Sequence, residues 1–290
     1  MFSSRTMRKT MIRSAAAAAF LAIFPSVHAT GDGKDVTNPT TADEQYELGR
    51  KYHRGEGVGR DPDKAAKWIR LAADAGHGGA QGYLGYLYSK GEGVDKNEDE
   101  AIRWMRLAAG QSVPSAQLNL GLILLRQGDP GSRGEAVEWI EKAAAGRHTE
   151  AMAKLAEYHH FGLNGVEKDP AKALHWARLA AEGGHTWSEN LYGTMLEWGI
   201  GTKVDRAAAM DWYRKAAGKG DAKAQASLGR LLASGLVGKR DVVEAYYWLW
   251  QSMAQGEPNG TNLIKELIPG MTKEERHAAL RRVGIDPVED

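Results

Sequence analysis

Cysteine is absent from this chain of 290 residues. That one absence excludes disulfides, thiolate metal sites, a thiol nucleophile and a lipidated cysteine anchor. The common catalytic signatures are missing too. There is no Gly-Lys-Ser/Thr of a phosphate-binding loop, no His-Glu-x-x-His, no Gly-x-Ser-x-Gly elbow, and no serine with lysine three residues on. The only sustained apolar run is Ala15–Phe24, ten residues, too short to cross a bilayer as a helix. Strong charge of one sign is lacking as well: the formal net charge is +1. Without residues 1–29, which hold Arg5, Arg8, Lys9 and Arg13 and no acid, 34 basic residues face 37 acidic ones, giving −3. No nucleic-acid footprint is present.

The basic stretch ending at Arg13, the apolar run Ala15–Phe24 and Val27-His28-Ala29 with its small residues form an export signal, with cleavage expected after Ala29. Thr30–Thr41 is polar, without hydrophobic period, and is expected to be a flexible leader.

From residue 42 onward the chain is periodic. Trp68, Trp104, Trp139, Trp176, Trp212 and Trp248 are separated by 36, 35, 37, 36 and 36 residues, the mark of one structural unit copied six times. The units run at about 42–79, 80–115, 116–150, 151–187, 188–223 and 224–256. Each reads as two helices. The first carries a small residue (Ala80, Ala116, Ala151, Ser188, Ala224) and, five places on, a glycine (Gly85, Gly121, Gly193, Gly229, with Gly49 in the first unit and Ala156 in the fourth). Glycine inside a helix costs roughly 1 kcal/mol, so its repetition implies a closely approaching partner. Gly55, Gly91, Gly162, Gly199 and Gly235 stand where the first helix must stop. Asp61, Asn97, Ser132, Asp169, Asp205 and Asp241 are expected to cap the second. Asn97/Glu100, Ser132/Glu135 and Asp241/Glu244 have the spacing of a capping box. The tryptophans, followed by paired alanines, are placed on the packed side of the second helix as a core or inter-repeat wedge, with truncation of a buried one costing about 3–5 kcal/mol. After Gly256, a short helix at Asn262–Ile268 and a final one from Thr272 to about Arg282 read as a terminal cap, residues 257–290.

The stretches "LGYLYSKGEGVDKNEDEAIRWMRLAAG" and "LGRKYHRGEGVGRDPDKAAKWIRLAADAGH" resemble Sel1-like repeats, relatives of the tetratricopeptide repeat, and the resemblance covers about 42–256. It implies an all-α, right-handed solenoid of six helix pairs whose first helices line the concave face. It implies no chemistry. Some members of the family are linked to β-lactam or peptidoglycan handling, but the acidic residues here fall mainly on caps and solvent faces, and an envelope hydrolase is the least favoured reading.

By analogy with tetratricopeptide geometry, the concave positions are Tyr46, Arg50, His53 and Arg54, then Tyr86 and Lys90, then Leu118, Leu122, Leu125 and Arg126. Glu157, His160 and Phe161 come next, then Trp187, Asn190, Glu197 and Trp198, and Arg230 closes the row. The three leucines alternatively pack the core. Of these positions Tyr46, Arg50, His53, Tyr86, Leu122, Arg126, Glu157, Phe161, Trp187, Trp198 and Arg230 are the expected partner contacts, because aromatics and arginine carry much of the energy of protein interfaces. Trp187 and Trp198 lie outside the 36-residue series, so repetition does not explain them. His77, His148 and His185 share one slot at the end of the second helix, which argues for a structural role. His159 and His160, adjacent on a helix, cannot hold one metal from one face, and a zinc pairing of His160 with His53 is a remote alternative. No cofactor and no metal is expected. The expected function is a periplasmic scaffold or regulator that binds another envelope or secreted protein, with no nucleic acid and no stable membrane anchor. An immunity protein against a toxin is the alternative, and an assembly scaffold a further one.

Overall fold

The computed structural model describes residues 39–128 and 130–287. The expected export signal, residues 1–29, and residues 30–38 of the expected leader lie outside the described residues. Six helix pairs succeed one another: α1 Ala42–Arg54 with α2 Pro62–Asp74, α3 Gly78–Lys90 with α4 Glu98–Gly110, α5 Pro114–Gln127 with α6 Pro130–Ala145, α7 Thr149–Phe161 with α8 Pro170–Glu182, α9 Thr186–Trp198 with α10 Arg206–Gly218, and α11 Ala222–Ser234 with α12 Val242–Ala254. Then α13 Pro258–Leu267, a 3-10 turn Ile268–Gly270 and α14 Lys273–Arg282 close the array. The described residues are helical and contain no strand. Outside the third pair every helix of the array has 13 residues, about 20 Å, so each pair adds a slab of equal height.

The helix boundaries result from caps. Asp61, Asn97, Asp169, Asp205 and Asp241 each accept a hydrogen bond from a backbone N–H of the first turn, satisfying a donor that the helix leaves orphaned. Ser132 is not the cap residue of its helix: α6 begins at Pro130, so Ser132 lies inside the first turn. Nor do the glutamates complete capping boxes. Glu100, Glu135 and Glu244 accept the indole N–H of Trp104, Trp139 and Trp248, one turn on, at 3.0, 3.1 and 2.8 Å. Reciprocal capping boxes form instead at Thr41/Glu44, where Thr41 is the last residue of the expected leader, and at Thr272/Glu275. The first helices end on left-handed glycines, Gly55, Gly91, Gly162, Gly199 and Gly235, with φ between +67° and +75°, which a Cβ would strain.

The histidine slot has the structural, helix-terminal role that its recurrence implies, at the start of the next helix rather than at the end of the second one. His77 and His185 cap the helix that comes after them: their Nδ1 atoms accept from Ala80 N at 2.8 Å and Ser188 N at 3.3 Å. His148 is the N-cap residue of α7 without a side-chain bond, and its buried Nδ1 has no partner.

Each pair is closed by one contact. A Cβ built on Gly49, Gly85, Gly121, Gly193 or Gly229 would stand 2.5 to 3.0 Å from a side-chain atom of Ile69, Met105, Ile140, Tyr213 or Leu249, closer than real carbon atoms approach. These five partners are at most 1% exposed, and each is the residue after a periodic tryptophan. In the fourth pair both partners are alanine, Ala156 and Ala177, each fully buried in one cluster. The tryptophans themselves are therefore not the wedge: only Trp104 is buried, and Trp68, Trp139, Trp176, Trp212 and Trp248 are half-buried. Their rings flank the core, with Arg103, Lys142 and Lys215 over the faces of Trp104, Trp139 and Trp212.

Successive pairs are joined by a buried polar ladder. Gln81, Gln117 and Gln225 donate to the carbonyls of Ala73, Ala109 and Ala217 of the preceding helix. Gln111 and Gln255, from the helix after, donate to Gln81 and Gln225 at 2.8 Å. In the fifth unit an ion pair replaces this amide pair: Lys219 Nζ lies 2.7 Å from Glu189, which is 3% exposed. At the C-terminal end α13 and α14 cover α12, burying Ile264, Leu267, Met271 and Ala279.

Gly85→Ala, which drives its Cβ to 2.7 Å from Met105 and 2.9 Å from the Ala101 carbonyl, should lower stability by about 1–3 kcal/mol. Met105→Ala added to it should cost less than the two single changes summed, because the pair then matches the alanines of the fourth unit. Urea denaturation of the four variants measures this, and strict additivity would refute the pairing. Separately, Ile140→Ala should cost about 2–5 kcal/mol and Trp139→Ala less, since only the former is fully buried.

Candidate functional site

Neighbouring first helices touch, α3 with α5 and α7 with α9, so they form one wall of the solenoid. The residue after each close-packed glycine or alanine gives a row along it: Arg50, Tyr86, Leu122, Glu157, Thr194 and Arg230, none of them fully buried.

At the N-terminal end the wall is aromatic and hydrogen-bonded. His53 lies between Tyr83 and Glu92, with Tyr83 Oη at 2.7 Å from its Nδ1 and Glu92 Oε2 at 2.6 Å from its Nε2. With the proton on Nε2, the imidazole donates to the carboxylate and accepts from the phenol, so all three groups are satisfied. Tyr46 meets Tyr83 edge-on at 6.0 Å, and Tyr86 meets both His53 and Tyr83. Burial pushes the Tyr83 hydroxyl up to about 12, and burial likewise raises Tyr46. The Tyr83 hydroxyl is thus a protonated hydrogen-bond partner of His53. Arg50 lies near the Tyr46 ring and pairs with Glu47 at 2.7 Å.

The middle is packed more than it is open. Leu118 is 4% exposed within the core of α5 to α8, which removes it from the expected binding row. Leu122 and Leu125 are half-buried against the same cluster. Arg126 is exposed and paired with Glu98 at 3.0 Å, and Glu157 with Lys154 at 3.0 Å. His160 touches the Phe161 ring at 4.5 Å, and burial, assisted by Lys168, lowers its pKa. His160 and His53 sit three units apart, each with its own neighbours, so no zinc pairing exists between them.

At the C-terminal end Glu197, expected on the surface, is 2% exposed. Arg230 from the next unit donates to both of its carboxylate oxygens, and the Tyr213 hydroxyl donates to Oε2 at 2.9 Å. Burial raises the Tyr213 pKa. Arg230 is thus committed first to this pair, and its guanidinium also lies 5.8 Å from the Trp198 ring centre. Trp187 is half-buried against the alanine cluster of the fourth pair and so has a packing role. Trp198 and Phe161, at equivalent helix ends of adjacent units, are 62% and 58% exposed. Beside Trp198 a cleft of about 510 Å³ is walled by Asn190, Thr194, Lys223, Ser227 and Arg230 and by Asn259 and Asn262 of α13. Asn190 Oδ1 has no partner there.

Tyr83, Glu92 and the α13 asparagines are not among the positions that sequence reasoning singles out. Tyr83 has one available signal: its slot in the other units holds Glu47, Asn119, Lys154, Leu191 and Ser227, so an aromatic there is not part of the repeat. Arg230→Ala should destabilise by about 3 kcal/mol, because it leaves a buried carboxylate without its cation. Arg230→Met with Glu197→Gln should recover most of that. A thermal unfolding series checks it, and an unchanged midpoint in the single variant would refute the commitment of Arg230 to the fold.

Comparison with known proteins comes down to the repeat. The Sel1 repeat profile matches residues 45–77, 79–113, 114–148, 149–185, 188–221 and 222–256. The structure of a protective antigen present in uropathogenic Escherichia coli strains, displaying an SLR fold, is 29% identical and superposes with a TM-score of 0.72, covering 84% of this chain and 53% of that one. A Sel1 repeat protein from Oxalobacter formigenes is 33% identical, with a TM-score of 0.66 over 74% of this chain and 88% of that one. Chitin synthase regulatory factor 2 of Schizosaccharomyces pombe is 37% identical over 59 residues, 20% of this chain and 12% of that protein. The chain therefore spans about half the length of the E. coli antigen and a small part of the yeast factor. With six repeat matches in phase with six observed helix pairs, the chain belongs to the Sel1 repeat family.

Proposed function

We propose that this protein is an exported, non-catalytic scaffold or regulator that binds a partner polypeptide of the bacterial envelope along the wall formed by its first helices. The observation that carries this reading is Trp198. It lies outside the tryptophan period, it is 62% exposed, and it stands beside Arg230, which lines a polar cleft. A large aromatic ring that the fold does not use is the kind of residue that anchors an interface. Phe161 repeats the arrangement one unit earlier. Several side chains capable of chemistry are engaged in the fold: His53 by Tyr83 and Glu92, His77 and His185 by helix starts, Glu197 by Arg230 and Tyr213. Export rests on the basic, apolar and small-residue segments of 1–29, and a periplasmic or secreted location is the consequence.

Photo-crosslinking residues placed at Tyr86, Glu157 and Trp198 should capture one and the same envelope protein, and residues at Lys67 and Asp211, exposed on second helices, should not. Equal capture from both sets would refute the wall as the binding surface. Trp198→Ala together with Phe161→Ala should abolish capture at Glu157 while changing stability by no more than about 0.5 kcal/mol. The mature protein recovered from cells should begin at Thr30, and a mass corresponding to Met1 would refute export.

A further inference from the structure

Every junction between units uses the same slots, and the fifth unit fills them differently. The small residue near the start of the first helix is Ala80, Ala116, Ala151 or Ala224 elsewhere and Ser188 here. The next residue is Gln81, Gln117, Met152 or Gln225 elsewhere and Glu189 here. At the end of the second helix, Lys219 stands where Gln111 and Gln255 complete the amides of their own units. The junction with the fourth unit is thus built on charged groups.

This exchange leaves the rung between the units open. A glutamine in the slot accepts through Oε1 and donates through Nε2, as Gln81 and Gln225 do to the carbonyls of Ala73 and Ala217. Glu189 keeps the first half, with Lys219 Nζ 2.7 Å from Oε1. As a carboxylate it has no proton for the second. Its Oε2 is buried without a partner, and the Ala181 carbonyl, the counterpart of Ala73 and Ala217, is left with backbone donors alone among the described residues. A carboxylate that is 3% exposed and half unpaired is costly to keep from water.

Apolar packing does not make up the difference. The buried core of this junction is Ala156, Ala173, Ala177, Leu191 and Met195, mostly alanine, with Leu174, Trp176 and Trp187 half-buried at its edge. The junction between units three and four also lacks the glutamine, but there Met152 joins Ile140, Leu155 and Tyr158 in a larger cluster. Beyond the joint in question, Leu196 of α9 belongs to a cluster that runs through Tyr213, Leu228 and Leu249 to Ile264 and Ala279 of the cap. In a repeat array each unit contacts its neighbours alone, so resistance to bending is set junction by junction. Opening most junctions exposes bulky apolar side chains or unmakes a paired amide. Opening this one exposes less apolar surface and gives Glu189 Oε2 the hydrogen bonds to water that folding withholds.

We infer that the solenoid has a joint between units four and five, a shear of α9 against α7 and α8 that admits water to Glu189. It divides the array into a stack of units one to four and a stack of units five and six with the cap. The joint is a property of the free chain, whatever the wall binds. It also sets the reach of the wall, because Arg50, Tyr86, Leu122 and Glu157 ride on one stack and Thr194 and Arg230 on the other. A partner that touches both stacks selects one setting of the joint.

The absence of cysteine allows spin labels on introduced cysteines alone, and the residue before each periodic tryptophan supplies equivalent exposed sites. Lys67→Cys/Glu138→Cys, Arg103→Cys/His175→Cys and Glu138→Cys/Asp211→Cys each span two units, about 20 Å. The third pair alone crosses the joint. Double electron–electron resonance should give it a distance distribution about twofold wider than those of the first two pairs. Glu189→Gln with Lys219→Gln, which supplies the missing donor and reproduces the rung of the sixth unit, should narrow the third distribution to the width of the others. The same double change in the cysteine-free chain should raise the thermal unfolding midpoint, although it removes an ion pair. Equal widths for all three pairs in the otherwise unaltered chain overturn the joint. So does a third distribution that stays wide in the double variant, or a double variant that melts below the parent chain.

Discussion

The array depends on one short-range steric fit: a helix position with no side chain pressed against a fully buried one from its partner. Gly49 with Ile69, Gly85 with Met105, Gly121 with Ile140, Gly193 with Tyr213 and Gly229 with Leu249 repeat it five times. Ala156 with Ala177 trades volume between the two sides. Because protein interiors are close-packed, this contact sets how near the two helices of a pair stand, and every later contact takes its position from it. The glycine weakens its own helix, and the approach it permits recovers that loss in packing.

Pairs are then held to pairs by groups that have little freedom to choose another partner. Gln81, Gln117 and Gln225 reach back to a carbonyl near the end of the preceding unit's second helix, while Gln111 and Gln255, at the end of the second helix of the same unit, complete the amides of Gln81 and Gln225. A buried amide left unpaired is costly, so a slipped register is penalised at every junction. The replacement of this pair by Lys219 and Glu189 shows that the geometry is kept while the chemistry changes. The tryptophans belong to a different layer. Their indoles shield the pair at its flank, and those of Trp104, Trp139 and Trp248 donate to the glutamate one turn back.

Against this uniform frame the departures from uniformity stand out. The wall of first helices runs from an aromatic, hydrogen-bonded end at Tyr46, His53, Tyr83 and Tyr86 to a polar cleft at Asn190, Thr194 and Arg230. The loop rim runs from paired charges to exposed apolar side chains. A repeat fold needs neither gradient, since stacking is satisfied by the residues common to all units.

Much of this is legible in the residues alone. The period of the tryptophans, the glycine before each loop and the aspartate before most second helices determine an array of helix pairs, because caps, left-handed turns and helical spacing act within a few residues of sequence. What a side chain meets across the fold is not local, and there the residues mislead. Their pattern puts Trp68 and its equivalents in the core, yet only Trp104 is buried there and the next residue fills the close contact. It puts Leu118 and Glu197 on the surface, yet both are buried. It leaves Arg230 available, yet Arg230 neutralises Glu197. The sequence by itself determined how often the unit recurs and where most of its helices begin and end, since those depend on backbone donors and acceptors satisfied nearby, though α6 and α13 start earlier than their residues suggest. Only the tertiary structure decided which face of each helix is buried and which charges are already paired, because a rotation of one residue, about 100°, separates a core position from an exposed one.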